Sequence, residues 1–364
     1  MGGPQYDELG LCWSTYLGDD GNEYAGDIRT DSDNNLYLGG RTSSTLLQFP
    51  ADPGVLYATS GNMVAFLTKF SALHQLSWTL FYGGDLLTSY TRGEAVAIQE
   101  TPDHRIIMAG HTDADDLWTV PNGNAYFDNT NSNSLYKGFV ADVDADNGNM
   151  LWATYFGEHD VEIWGADVTP AGALVICGKA QSDLPGLQYG PPSGSMNQTY
   201  TSGADAFVAM FDPDRQLYWR SWWGGVGNDI ALEIEATSNK IVLAGHTSNG
   251  GLTMVDPGGD AYTQAFGGNQ DVYLIEFDPN GVVQWSTYLG GTGLDHLGPN
   301  GLDIGLLGDV FLCGQAGELD IVEGPNWYDD VSGGSNGFLA RFDGSDRSPK
   351  WITYVGVGGT LLRA

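Results

Sequence analysis

The sequence predicts an all-β protein, a β-propeller built from four-stranded antiparallel blades. Six tryptophans recur along the chain with gaps of 65, 74, 67, 66 and 66 residues, and a glycine stands five positions after each of them. A fixed period of this length is typical of repeat arrays and propellers. The 53 glycines and the 12% of aromatic residues also favour strands joined by tight turns. The repeated tryptophans are Trp13, Trp78, Trp152, Trp219, Trp285 and Trp351.

Each module of this repeat contains four extended segments. The first is short and apolar at alternate positions, the second ends in glycine (174–178), the third is bounded by apolar residues (207–211), and the fourth carries the tryptophan (219–224). Short strands bounded by turn residues are typical of antiparallel sheet, and four strands per repeat form a propeller blade. The five complete modules of about 66 residues cover 19–83, 84–157, 158–224, 225–290 and 291–356, within one propeller spanning 1–364.

The last two modules carry a recognisable pattern. It reads Trp-Ser-Thr-Tyr-Leu-Gly-Gly at 285–291, Val-Phe-Leu-Cys-Gly at 310–314 and Gly-Phe-Leu-Ala-Arg-Phe-Asp at 337–343. This pattern resembles the bacterial secreted β-propeller repeat, also called the SBBP repeat, over nearly the whole chain. The resemblance implies an extracellular or cell-surface bacterial protein, and it supplies no catalytic residues.

A spare strand at 11–18 precedes the five modules. It carries Trp13, while the last module already has its own tryptophan strand at Trp351, so the segments do not form a simple ring. Two alternatives follow: the spare strand caps an edge, or the chain is a piece of a longer propeller. An unclosed sheet edge favours self-association with another copy of the chain.

The charge excludes several partners. The chain has 46 acidic and 14 basic side chains, a formal net charge of −32, which disfavours nucleic acid and anionic lipid. No apolar run reaches the roughly 20 residues that cross a bilayer, and residues 1–11 do not have the pattern of a signal peptide. Cys177 and Cys313 fall at the same module position and are predicted to be small buried core residues.

Two groups of acids are candidate calcium ligands, because Ca²⁺ prefers oxygen donors. The first group lies on the first segments, which line the channel of a propeller. Its members are Asp27, Asp167, Glu233 and Asp303. The second group has the alternate spacing that opens a calcium loop, although it lies on a predicted hairpin. Its members are Asp142, Asp144 and Asp146. The alternative for both groups is that the carboxylates bind backbone groups or face solvent.

Two further groups are candidate ligand-binding residues. A polar residue follows the second-segment glycine in every module, and these side chains are expected at one end of the blades, where propellers bind ligands. They are Arg41, His111, Lys179, His246 and Gln315. Aromatic residues of the long loops form the other group, with Trp118 and Trp327 as its main members. Exposed aromatics stack on sugars or contact proteins, whereas the alternative is that they cover the blade edges.

The sequence favours a non-enzymatic scaffold for recognition or adhesion, secreted or displayed on a cell surface. Its long loops would contact a protein or glycan ligand. One alternative is a carbohydrate-active propeller hydrolase with a carboxylate pair near the channel mouth. In that case one module should depart from the repeat, and the longest loop, at 113–134, is the main irregularity. Another alternative is a structural spacer within a larger surface protein.

Overall fold

The computed structural model describes residues 13–18, 20–44, 54–57, 62–84, 89–100, 103–131, 135–187, 191–317, 319 and 336–356. Strands are its only regular secondary structure in these ranges, and no helix there is long and apolar enough to cross a membrane. The strands form five four-stranded antiparallel units that follow one another along the chain, with one parallel strand added to the first unit and a short parallel pairing between the third and the fourth. We call each unit a sheet. The prediction of an all-β chain of four-stranded antiparallel units is therefore confirmed.

The first and second sheets occupy the N-terminal part. The first contains β1 (Glu23–Thr30), β2 (Leu36–Thr42), β4 (Val64–Phe70) and β5 (Leu76–Tyr82), with β3 (Gly54–Tyr57) added parallel to β5. The second contains β6 (Thr91–Gln99), β7 (Arg105–Thr112), β8 (Lys137–Asp144) and β9 (Met150–Phe156).

The remaining three sheets repeat this order. The third contains β10 (Val161–Val168), β11 (Leu174–Ala180), β12 (Ser202–Phe211) and β13 (Leu217–Trp223). The fourth contains β14 (Val226–Ala236), β15 (Ile241–Thr247), β16 (Asp271–Phe277) and β17 (Val283–Leu289). The fifth contains β18 (His296–Ile304), β19 (Val310–Ala316), β20 (Asn336–Phe342) and β21 (Pro349–Val355). A short parallel pairing of 202–204 with 226–228 links the third and fourth sheets.

Turn residues explain where the hairpins close. In the turn between β16 and β17, the Asp278 carboxylate accepts hydrogen bonds from the backbone N–H groups of Asn280 and Val282, both at 2.9 Å. Gly281 in the same turn has a φ of 79°, a conformation that side chains disfavour. The turn therefore needs the Asp-x-x-Gly pattern that the sequence carries there.

The hydrophobic core lies between neighbouring sheets. Separate apolar clusters join the first sheet to the second, the second to the third, the third to the fourth and the fourth to the fifth. Four of the repeated tryptophans are at most 2% exposed in these layers: Trp78, Trp152, Trp219 and Trp285. Cys177 and Cys313 are buried, as predicted. Each sheet is therefore stabilised mainly by packing on its neighbours, as in repeat proteins.

Candidate functional site

The first strands of all five sheets lie around one cavity. Its volume is about 290 Å³, close to the lower limit for small-molecule sites. The lining residues come from β1, β2, β6, β10, β14 and β18, and they are Tyr24, Ala25, Gly26, Arg41, Glu94, Trp164, Leu232, Glu233, Pro299 and Asn300. We call this space the central cavity. Two charged clusters lie at different levels along the strands that form it.

The first cluster lies where the first strands begin. Arg41 of β2 forms an ion pair with Glu94 of β6, so the contact joins the first and second sheets. In the third sheet, Lys179 Nζ lies 3.1 Å from Glu162 Oε1. His111 of β7 faces the same carboxylate, with Nε2 at 4.0 Å from Glu162 Oε2. We define the Arg41 cluster as Arg41, Arg92, Glu94, His111, Glu162, Trp164 and Lys179.

Two buried N–H donors of the Arg41 cluster find no acceptor among the described residues. They are the Nε of Arg92 and the indole Nε1 of Trp164. The His111 ring is 0% exposed and its centroid lies 5.3 Å from that of Trp164. A buried donor without an acceptor costs about 1–3 kcal/mol. A ligand that supplies acceptors there would recover that free energy.

Electrostatics separates this cluster from the rest of the acidic chain. It combines three cationic side chains with two carboxylates, so it is locally positive although the chain carries −32. Burial, and then the charge of Arg92, lowers the pKa of His111 to about 3, so its imidazole is neutral at pH 7. Burial raises the pKa of Glu94 even though Arg41 opposes that shift.

The second cluster lies farther along the first strands. Arg29 of β1 contacts Asp27 at 3.3 Å and reaches Glu235 of the fourth sheet at 3.2 Å. Asp167 of the third sheet accepts a hydrogen bond from the backbone N–H of Ala236 at 2.7 Å. We define the Arg29 cluster as Asp27, Arg29, Asp167, Glu233 and Glu235. It brings the first, third and fourth sheets together.

Each carboxylate of the Arg29 cluster has a protein partner. Asp27 and Glu235 contact Arg29, and Asp167 accepts the N–H of Ala236. Asp27 also accepts the N–H of Val96 at 3.1 Å, and Glu233 accepts that of Asn300 at 2.7 Å. These two bonds run from one sheet to the first strand of another. The cluster therefore joins sheets through backbone N–H groups, which was the alternative to calcium binding.

Burial dominates the ionisation of this cluster. It raises the pKa of Glu233 to about 8, against the hydrogen bond from Asn300. It likewise raises the pKa of Glu235 to about 8, with Asp167 adding to that shift, and it raises the pKa of Asp167 itself. Burial opposes the charge of Arg29, but the neighbouring carboxylates outweigh it and raise the arginine pKa. Acids with such raised pKa values can donate protons near neutral pH.

The predicted ring of four acids at one module position is wrong in detail. Asp27 pairs with Gly39 and Glu233 with Ala244, which are equivalent second-strand positions. Asp167 instead pairs with Val175, two positions further along, and the equivalent Asp303 is exposed on β18. The loops before the first strands differ in length, and an alternating pattern cannot reveal a slip of two residues. Three of the four acids nevertheless meet in the Arg29 cluster.

The hairpin acids face different surroundings. Asp142 is fully buried between the second and third sheets, 2.8 Å from Arg215 Nε and 3.2 Å from Arg105 Nη1. Asp144 accepts hydrogen bonds from the backbone N–H of Asp146 at 2.8 Å and of Asn147 at 3.3 Å, so it closes its own turn. Asp146 is exposed. In the described part of the chain no three His, Cys, Asp or Glu side chains are arranged to hold a metal. Calcium binding stays a prediction.

The five polar residues after the second-strand glycines lie at one end of the first strands, as each pairs with a residue near the start of its first strand. Arg41, His111 and Lys179 meet in the Arg41 cluster. His246 instead contacts His296 at 5.5 Å between ring centroids, and burial, followed by His296, lowers the pKa of His246 to about 4. Gln315 pairs with His296 in the fifth sheet.

The loop aromatics divide into two groups. Trp118 is 59% exposed, so it presents its ring to solvent as predicted for a contact residue. Tyr126 and Tyr262 instead pack against Phe211 and Phe342 of the following sheets, at 6.0 and 5.5 Å between ring centroids. Trp327 lies outside the described residues. Much of the aromatic content therefore covers sheet interfaces.

Sequence reasoning missed four members of the Arg41 cluster and two of the Arg29 cluster. The missed residues are Arg92, Glu94, Glu162 and Trp164 in the former and Arg29 and Glu235 in the latter. A usable signal existed, because all six lie on first strands that the repeat identifies. Their relation to one another depends on which sheets face across the cavity, which no single module shows.

Comparisons with known proteins do not assign a family. No protein-family model matches the chain, and no curated protein matches it.

Proposed function

We propose that the five sheets form a β-propeller of the secreted bacterial type, with the central cavity on its axis. The cavity supports this arrangement because every sheet contributes its first strand to the lining. The contact between Arg29 and Glu235 supports it as well, since it joins the first and fourth sheets across that space. Propeller blades place their first strands around a central channel in the same way.

We infer that the protein is a non-enzymatic recognition module on a cell surface or outside the cell. Its ligand is a glycan that bears a carboxylate, and its site is the Arg41 end of the central cavity. The observation that carries this proposal is the pair of buried donors without acceptors on Arg92 and Trp164, of which Trp164 lines the cavity. A carboxylate supplies acceptors for such donors and pairs with Arg and Lys side chains.

The remaining lining suits the rest of an acidic sugar. Trp164 and the half-exposed Tyr24 offer aromatic faces, and the Arg41 guanidinium lies 4.9 Å from the centroid of the Tyr24 ring. Glu94 and Glu233 offer acceptors for hydroxyl groups. The cavity volume of about 290 Å³ limits the bound part to about one sugar ring. Recognition therefore combines one charged group, a few hydroxyls and one stacked face.

The test is calorimetric titration with a short oligogalacturonate and with a neutral oligosaccharide of equal length. We expect the acidic ligand alone to bind, and Arg41→Gln to weaken it by about tenfold or more, the effect of losing a charge-assisted contact. Arg341→Gln is the matched control, because Arg341 lies on the fifth sheet away from the cavity. Equal binding of the neutral ligand, or equal losses in both variants, would contradict the proposal.

A hydrolase is the second candidate, and one observation favours it. Glu233 lines the central cavity with a pKa raised by burial to about 8, which suits a general acid. Asp27 lies close enough to raise that pKa further, so a second carboxylate is near. Release of reducing ends from polysaccharide that disappears in Glu233→Gln would establish hydrolysis. Binding without release would leave the recognition module as the function.

A further inference from the structure

The internal interfaces between sheets are of two alternating kinds. In the first kind, the tryptophan indole donates to a carbonyl in the hairpin turn of the next sheet. Trp78 Nε1 binds the oxygen of Ala145 at 3.1 Å, and Trp219 Nε1 binds that of Pro279 at 3.1 Å. These bonds join the first sheet to the second and the third to the fourth.

Glycine is required in the turn of this first kind of interface. Gly148 and Gly281 have φ values of 76° and 79° and lie directly under the indoles. A Cβ on Gly148 would lie 3.0 Å from the Trp78 ring, and one on Gly281 would lie 2.9 Å from the Trp219 ring. A side chain there would displace the tryptophan, so the first kind of interface needs a next sheet with glycine in its turn.

The second kind of interface joins the second sheet to the third and the fourth to the fifth. Here the indole donates to its own long loop, as Trp152 does to the oxygen of Tyr126 at 2.9 Å and Trp285 to that of Tyr262 at 2.8 Å. An acid of the third strand pairs with an arginine in the turn of the next sheet. These pairs are Asp142 with Arg215 at 2.8 Å and Glu276 with Arg347 at 2.5 Å.

The outer face of the fifth sheet is half of an interface of the first kind. Leu339 is 36% exposed, whereas the equivalent Leu67, Val140, Val208 and Leu274 are 0% exposed. Trp351 is only partly buried, and its indole Nε1, although itself buried, has no acceptor among the described residues. A hairpin carbonyl of a following sheet would supply that acceptor, as Ala145 does for Trp78.

The outer face of the first sheet is half of an interface of the second kind. Trp13 packs on it, 5.4 Å from Phe70 at an interplanar angle of 64°. The equivalent pairs of the second kind, Trp152 with Phe211 and Trp285 with Phe342, lie at 5.8 Å and 69° and at 5.6 Å and 61°. Trp13 also stacks on His74 at 4.9 Å, and His74 stands at the turn position of Arg215 and Arg347.

Residues 13–18 therefore hold the place of a fourth strand without the sheet that should carry it. No strand pairing in the described part of the chain includes them. Tyr16 is 103% exposed, whereas the equivalent Tyr155, Tyr288 and Tyr354 are at most 2% exposed within their own sheets. A strand with both edges unpaired is stable only where another sheet covers it.

We propose that the fifth and first sheets are the two walls of a slot for one further β-module. The occupant is a three-stranded antiparallel module of the kind seen in the second and fourth sheets, and it takes residues 13–18 as its fourth strand. Its turn carries glycine under Trp351, and its third strand carries an acid that faces His74. A second copy of the chain fits less well, because its first sheet presents His74 where Trp351 needs glycine.

The first experiment supplies such a module from the chain itself. Residues 84–151, which contain β6, β7 and β8, are added after residue 364 through a flexible linker. We expect the backbone amides of 14–17 to exchange with deuterium at least about tenfold more slowly, because strand pairing protects them. The matched control carries Gly148→Arg in the added copy only, and it should leave exchange unchanged. Unchanged exchange in the first fusion, or equal protection in both, would overturn the proposal.

A second experiment uses the chain at its present length and so does not depend on folding of a fusion. Trp351→Lys should lower the unfolding midpoint by no more than about 2 °C, because its face is open, whereas Trp285→Lys should lower it by about 8 °C or more. Sedimentation is measured on the same samples. Equal losses in the two variants would show that Trp351 is already covered. A dimer that Trp351→Lys separates would assign the slot to a second copy and overturn the proposed occupant.

Discussion

The Arg29 cluster lies on first strands and the Arg41 cluster lies on first and second strands of the same sheets, yet their polar groups are paired differently. In the Arg29 cluster each carboxylate accepts a hydrogen bond or an ion pair from another strand or sheet. In the Arg41 cluster, buried donors of Arg92 and Trp164 find no acceptor in the described part of the chain. The first arrangement joins sheets, and we propose that the second receives a ligand. Both clusters combine cationic side chains with carboxylates, so their charges alone do not distinguish the two arrangements.

The largest expected effect comes from Arg29→Met. Loss of the guanidinium leaves several buried carboxylates without a counter-ion, and we expect the free energy of unfolding to fall by about 3 kcal/mol, as when one partner of a buried pair is removed. Urea denaturation measures it. Arg341→Met is the control, because Arg341 pairs with a single carboxylate, Asp309 of its own sheet, and its loss should cost less. Similar losses in both variants would mean that the Arg29 cluster does not hold the sheets.

Lys179→Gln tests the other cluster. We expect binding of an acidic oligosaccharide to weaken by about tenfold, because one charge-assisted contact is lost. The unfolding midpoint should change less than in Arg29→Met, since Lys179 pairs with the single carboxylate of Glu162 within its own sheet, whereas Arg29 contacts two carboxylates and joins two sheets. Calorimetry and thermal denaturation on the same samples give both values, with Lys350→Gln as the surface control. A large loss of stability with unchanged binding would reverse the roles of the two clusters.

The pH dependence of stability distinguishes the clusters again. The folded-state pKa of Glu233 is about 8, above its ordinary value of 4.5, so the folded protein binds the proton more tightly than the unfolded chain. Its contribution is complete below pH 4.5 and is lost as the pH rises to 8. Glu233→Gln should therefore flatten the fall of the unfolding midpoint across this range. An unchanged pH profile would contradict the burial of this acid.

His111 should act in the opposite direction, because its pKa falls to about 3 from 6.5. The unfolded chain then binds the proton more tightly, so the contribution of His111 is present above pH 6.5 and is lost as the pH falls toward 3. His111→Gln should make the midpoint less sensitive to acid in that window. A variant that stays as acid-sensitive as the wild type would show that His111 is not buried in its neutral form.

Calcium gives the smallest expected effect. Asp142 and Asp144 already bind Arg215 and turn N–H groups, so a cation would have to replace protein partners. We expect millimolar calcium to move the midpoint of EDTA-treated protein by less than about 1 °C, the limit of weak mass-action stabilisation. A larger rise that Asp142→Asn/Asp144→Asn abolishes would establish the hairpin site. A rise that survives this variant would assign calcium to Asp27 and Glu233.

The sequence predicts most of the strand order, because the tryptophan and glycine period marks every module. It also contains the alternation of interfaces, in the acids Asp142 and Glu276 and in the turn glycines Gly148 and Gly281. That alternation has a meaning only once Trp78 and Trp219 are seen above those glycines. Composition and period describe one module, whereas the interfaces depend on pairs of modules.

The candidate site was predictable only in part. One module position predicts Arg41, His111 and Lys179. Their partners Glu94 and Glu162 lie on first strands, and the repeat does not show that they reach these side chains. Asp27 pairs with Gly39, whereas Asp167 pairs with Val175, two positions further along the equivalent second strand. Such shifts of two residues leave the alternating pattern intact, so the sequence cannot report them.

The ¹⁵N chemical shifts of the histidine imidazoles, measured while oligogalacturonate is added, test the central claim most directly. The account predicts that the ring nitrogens of His111 shift as a ligand oxygen reaches the Arg41 cluster, while those of His246 stay unchanged because His246 packs on His296. Shifts of neither histidine, or equal shifts of both, would contradict a ligand site at the Arg41 cluster.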